Sequence, residues 1–125
     1  MNQYLNLLGR SLLALIFLLA GVGKISDPAG TMHYMESMGL PGLLFWPTVA
    51  LETLGGLAIV VGFRTRHVAF VLAGFCVVTA LVFHRNFADS IQMIMFLKNL
   101  AIAGGFLLLA GTGATGFAID KTPRA

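Results

Sequence analysis

Charge is what this chain has least of. Only 10% of its 125 residues are Asp, Glu, Lys or Arg, and 58% are hydrophobic, whereas a soluble domain carries about a quarter charged residues. With a mean hydropathy of +0.89, the chain does not read as an ordinary soluble domain. Cysteine is nearly absent as well. Cys76 stands alone, which excludes an internal disulfide and a Cys-x-x-Cys dithiol centre. No two histidines or carboxylates have metal-ligand spacing, so no metal site is expected. No flavin or haem motif occurs, so the chain has no intrinsic redox cofactor. The net charge of +3 comes from basic residues scattered beside apolar runs, without a basic stripe carrying interleaved aromatics. Nucleic acid is therefore not an expected partner, and contact with anionic lipid head groups is the simpler reading.

What is abundant is long apolar runs. Crossing the hydrocarbon takes roughly 20 apolar residues, and four such runs separate, at about 5–23, 43–62, 67–84 and 91–111. None alternates with period two, which argues against barrel strands. The expected fold is an all-α membrane protein: one domain over 1–125, a bundle of four transmembrane helices. The first run starts like a signal peptide. It is too long for one, has Arg10 in its first third and ends in Gly-Lys, so it reads as a retained span. Between the first two spans lies SDPAGTMHYMESMGLPG. Asp27 can cap a helix that has Pro28 at its first position, and Gly39 and Pro41 end it. Met32, Tyr34, Met35 and Met38 would give it an apolar side, so a short interfacial helix is expected there. Arg10, Arg64, Arg66, Lys121 and Arg124 fall on one side of the membrane, and Lys24 and Arg85 on the other. That imbalance places both termini in the cytoplasm.

Polar residues within the spans are the candidates for function. By helix rise, Glu52 and Lys98 lie at similar depth near the midplane. Two unpaired charges there would cost about 5–7 kcal/mol on insertion scales. A Glu52–Lys98 pair is therefore expected, with Asn99 and Arg10 satisfying the remaining donors and acceptors. Lys24 and His84 mark the far ends of the first and third spans. Each has a bland alternative: an ion pair that only locks the bundle, a lysine that snorkels, a surface histidine. Cys76 and the Met93, Met95, Phe96 group read as core. Gly21, Gly23, Gly55, Gly56, Gly74, Gly104 and Gly105 would let helices approach closely.

The order of GRSLLALIFLLAGVGKISDP, TMHYMESMGLPG, ALETLGGLAIVVGFRTR and FLKNLAIAGGFLLLAGTG resembles the DoxX family of small bacterial inner-membrane proteins over nearly the whole chain. The resemblance implies a four-helix inner-membrane bundle whose polar positions fall on Arg10, Lys24, Glu52, His84, Lys98 and Asn99. Relatives of the DoxD subunit belong to a thiosulfate:quinone oxidoreductase. Another relative is associated with a complex linking superoxide dismutase and a sulfurtransferase in thiol defence. With one cysteine the chain lacks the pair that thiol chemistry would use. The leading expectation is a membrane protein that supports a redox process by binding a quinone-like or other lipophilic ligand near Glu52 and Lys98. Lys98 and Arg10 would hold the head, Glu52 would relay a proton, and Lys24 and His84 would line the mouth. Any catalysis would be that of a quinone-linked oxidoreductase subunit with a protein partner. The alternatives are a structural or assembly subunit, oligomeric or not, and a small transporter.

Overall fold

The computed structural model describes residues 2–120, so Lys121 and Arg124, which enter the orientation argument, lie outside the described residues. It has five α-helices: α1 (Gln3–Ser26), α2 (Pro28–Ser37), α3 (Phe45–Val61), α4 (Thr65–Phe83) and α5 (Ser90–Thr112). A 3-10 turn, Gly42–Leu44, leads into α3. α1, α3 with its leading turn, α4 and α5 are each long and apolar enough to cross a membrane. α2 starts where the sequence places a cap: the Asp27 carboxylate accepts from Gly30 N at 3.1 Å, and Pro28 sits in the first turn.

The long helices associate as two pairs, α1 with α3 and α4 with α5, and touch more sparsely across α3–α4 and α1–α5. Glycine sets the first pairing. A Cβ at Gly56 would lie 2.9 Å from Leu18 Cδ2, and one at Gly21 would collide with the Thr53 hydroxyl. Gly55 likewise meets Leu72 of α4, and Gly105 meets Leu13 of α1, whereas Gly23, Gly74 and Gly104 face open space. The main core joins Ala14, Phe17, Ile59, Leu72, Cys76 and Phe106. A smaller cluster of Met35, Phe45 and Val49, flanked by Met32, Leu40 and Phe83, docks α2 onto α3 and α4. Leu12, Leu19, Leu54, Phe70 and Leu108 stay exposed. Such exposure suits side chains that face hydrocarbon.

The end carrying both termini is closed by polar contacts. Arg10, 1% exposed, donates through Nε to Asn6 Oδ1 at 2.8 Å. Its Nη1 donates to the carbonyls of Ile59 at 3.0 Å and Val60 at 2.8 Å, and its Nη2 to Phe117 O at 2.6 Å. Asn6 donates to Gly113 O at 3.2 Å and accepts from Thr115 N at 3.0 Å. The segment after α5 is thereby folded back over the bundle, and Ile119 N and Asp120 N donate to Val61 O and Gly62 O. Its last described residue caps α4. Both Arg64 N and Thr65 N donate to the Asp120 carboxylate at 2.7 Å, and Arg64 itself takes a left-handed φ of 48°.

Candidate functional site

At the opposite end, beside α2, the two helix pairs splay apart. Between them lies a cleft of about 580 Å³, within the range typical of small-molecule sites. Phe17, with Phe75 and Phe106 against it at centroid distances of 6.2 and 5.4 Å, forms the floor. The cluster of Met35, Phe45, Val49 and Phe83 closes the side between α3 and α4. Thr31, Tyr34 and Met35 of α2 form the roof, where the Tyr34 ring stacks on Phe83 at 5.5 Å.

The walls are mostly apolar, and the few polar groups converge. Glu52, 5% exposed, lies one turn below Thr48 on α3. Lys24 reaches it from the last turns of α1, with Nζ 2.8 Å from Glu52 Oε1. The Lys24 side chain stays partly open, 27% exposed against 7% for Glu52. Glu52 Oε1 has no well-aligned hydrogen bond, so the contact is an ion pair rather than a directed bond. On the facing wall Asn99 Nδ2 donates to Thr79 Oγ1 at 3.3 Å, and Thr79 donates in turn to Cys76 O at 3.1 Å. At the rim His84 Nδ1 lies 3.1 Å from Gln92 Oε1, a bond made in the tautomer that carries a proton on Nδ1.

These positions correct the expected pairing. The counter-charge of Glu52 is Lys24, not Lys98. Equal depth does not make neighbours: α3 packs against α1 and α4, while Lys98 stands on α5, exposed and without an ion pair or hydrogen bond among the described residues. Arg10 is at the other end of the bundle, held by Asn6, the end of α3 and the C-terminal segment. Of the six expected residues, Lys24, Glu52, His84 and Asn99 line one cleft, and Arg10 and Lys98 do not.

Several contributors were not picked out in the sequence. Thr48 and Thr79 line the cleft, Gln92 partners His84, and Asn6 and Asp120 build the closed end. Helical spacing gave a signal for two of them, since Thr48 precedes Glu52 by four residues and Asn6 precedes Arg10 by four. Among the described residues no group of three or more His, Cys, Asp or Glu is placed to hold a metal ion. Outside the spans, burial alone would favour protonated Asp120. The Thr65 and Arg64 hydrogen bonds and the nearby Arg10 outweigh it and hold the carboxyl below its ordinary range.

Comparison with known proteins settles the family. A model of the DoxX family matches residues 5–85, which run through α1–α4. The chain belongs to the DoxX family. It is 50% identical over 115 residues to the inner membrane protein YqjF of Escherichia coli (strain K12), covering 92% of this chain and 88% of that protein. It is 36% identical over 124 residues to inner membrane protein YphA of the same strain, with 94% and 89% covered. A shorter match, 33% over 68 residues, joins it to CatD of Bacillus subtilis (strain 168), provisionally named as an oxidoreductase, with 54% and 51% covered. No solved structure matches the chain. This DoxX chain is an integral membrane protein with four candidate spans.

Proposed function

We propose that this DoxX protein binds a lipophilic ligand with a polar head, quinone-like in build, in the cleft beside α2, and through it supports a redox process of the bacterial inner membrane. The observation that carries the reading is the cleft. Its long apolar walls end at a few convergent donors and acceptors: Lys24, Glu52, Thr79, Asn99 and His84. That composition matches a flat or elongated apolar body with one polar end. Lys24, whose side chain stays partly exposed, would donate to a head-group oxygen, and Glu52 would exchange a proton at the same spot. Redox chemistry would come from the ligand and from an electron donor on a partner protein. The partial likeness to an oxidoreductase-named protein leans the same way. In this reading α2 lies in the membrane interface as the lid of the cleft, both termini are cytoplasmic, and the cleft opens toward the outer leaflet. The names of YqjF and YphA support the inner membrane as location.

The test is direct. Protein extracted in mild detergent should retain a lipophile, detected by solvent extraction and mass spectrometry. Filling the cleft with Leu51→Trp should abolish retention while the helices persist by circular dichroism. An empty wild-type cleft that also fails to bind added quinone would refute the proposal. A structural or assembly role draws on a different observation, the largely uncovered surface of α5. It would be favoured by a stoichiometric protein partner lost on substitution of Leu97 or Leu108.

A further inference from the structure

Lys98 is a charged residue deep within a span that remains exposed. Its position is tied to the cleft by helix register. Lys98 and Gly105 are seven residues apart and so share one stripe of α5, and at Gly105 that stripe faces Leu13 of α1, at 3.0 Å. Lys98 therefore faces the α1 side roughly 10 Å nearer the α2 end. There α1 presents Ile16 and Ala20, both lining the cleft, while Met95 and Ile102, the near neighbours of Lys98 on its own helix, line the opposite wall. The other sides of the cleft are accounted for by the aromatic floor, the α2 roof and the Met35–Phe45–Phe83 cluster. α1 and α5 pack only sparsely, which leaves the side between them for a lateral opening, and Lys98, outside the lining residues, stands beside it by register.

Charge then selects the occupant. Lys24 and Glu52 neutralise each other inside, so the cleft carries no spare charge, and the rim carries one cation. We infer that Lys98 is the recognition residue of a lateral portal, and that the ligand reaching the cleft from the bilayer is a lipophile with one anionic head, a carboxylate or phosphate on an acyl or isoprenoid chain. The head lies between Lys98 at the rim and Lys24 inside, and the chain extends between Ile16 and Ile102. Lys98 lies roughly 12 Å along α5 from Ser90, too deep for the phosphate plane of an undisturbed leaflet, so the anion must travel down with its chain. A second copy docked through this stripe is disfavoured, because a two-fold axis there would bring two Lys98 side chains together.

The inference rests on the cleft-binding reading, and the experiment separates their failures. The full chain in phosphatidylcholine nanodiscs is titrated with cis-parinaric acid and with its methyl ester, at alkaline pH where the acid is ionised. The acid should bind roughly tenfold tighter than the ester. Lys98→Met should remove that preference and leave ester binding unchanged, and Lys98→Arg should keep it. Equal binding of acid and ester by wild type, or a preference that survives Lys98→Met, overturns the inference and leaves cleft binding standing. Binding of neither probe overturns the inference, and failure to bind added quinone as well overturns the cleft reading. Loss of preference when phosphatidylglycerol is added assigns the anion to a lipid head group, and its persistence assigns it to a free acidic amphiphile; both results support the rim charge as selector. A Lys98→Met effect confined to release of an acidic partner protein overturns it.

Discussion

Replacing Arg10 by Met should collapse the closed end of the bundle without touching the cleft. The guanidinium is 1% exposed and makes four hydrogen bonds of 2.6–3.0 Å. Two of them satisfy carbonyls of Ile59 and Val60, which lie in the last turn of α3 and have no helical partner of their own. Bonds to charged groups contribute about 1.5–3 kcal/mol each, but they share one side chain and do not add. Removing the cation also removes its desolvation cost. Loss of one member of a buried charged network typically costs about 3–5 kcal/mol, and we expect Arg10→Met to fall there. For a chain of this size that lowers the thermal midpoint by roughly 10 °C or more. The protein carries its own reporter. Cys76 is the sole cysteine and is 3% exposed, so labelling by a fluorogenic maleimide during heating follows opening of the core. Arg10→Lys should be intermediate, because one ammonium cannot span Asn6, the end of α3 and Phe117 together. A midpoint within about 3 °C of wild type would refute the reasoning. Loss of a bound lipophile at unchanged midpoint would instead place Arg10 at the ligand.

Three further outcomes follow from the same contacts. In a double-mutant cycle, Lys24→Met and Glu52→Gln should couple by about 1–3 kcal/mol, whereas Lys98→Met and Glu52→Gln should add; the maleimide melt measures both. Gly56→Val should destabilise by about 1–3 kcal/mol, because its side chain would enter the space of Leu18 and Ala14, while Gly104→Ala, facing open space, should be neutral or slightly stabilising in the same melt. Asp120→Ala should cost about 1–2 kcal/mol at neutral pH through loss of the α4 cap. Because the folded carboxyl titrates below its unfolded value, its contribution is present above the ordinary carboxylate range and vanishes as pH falls through the folded value. Melts below about pH 4 should therefore destabilise wild type more steeply than Asp120→Ala. Parallel pH curves would contradict the capping role.

The helices were legible because their causes are local. Run length fixes spans, and Asp27-Pro28 with Gly39 punctuates α2. Partner choice was not legible, because counting residues gives the height of Glu52 and Lys98 but not the direction each faces. A second periodicity held part of the answer. The buried stripe of α1, Asn6, Arg10, Ala14, Phe17 and Gly21, continues at helical spacing to Lys24. The stripe of α3 runs Phe45, Val49, Glu52, Gly56 and Ile59. A buried stripe that runs through Gly21 to a cation, facing one that carries an anion beside Gly55 and Gly56, is the pattern of a close helix pair with an ion pair across it. The fold-back of 113–120 had no comparable signal, since Asp120 caps a helix that begins 55 residues earlier.

The two ends of the bundle divide their polar residues by purpose. At the terminal end Asn6, Arg10 and Asp120 join α1, α3, α4 and the C-terminal segment into one body, although the buried Thr65 and Thr115 hydroxyls there lack a well-aligned hydrogen bond. At the α2 end polar atoms keep capacity in hand: Lys24 stays partly open, Glu52 Oε1 lacks a directed bond, and Lys98 lacks a partner among the described residues. Around the cleft, over an aromatic floor and a rigid base, an ion pair that keeps one side chain partly open fits a site whose polar groups are completed by a ligand. Ligand binding should accordingly raise the thermal midpoint of wild type, and do so less in Lys24→Met, while Asp120→Ala keeps the full increment.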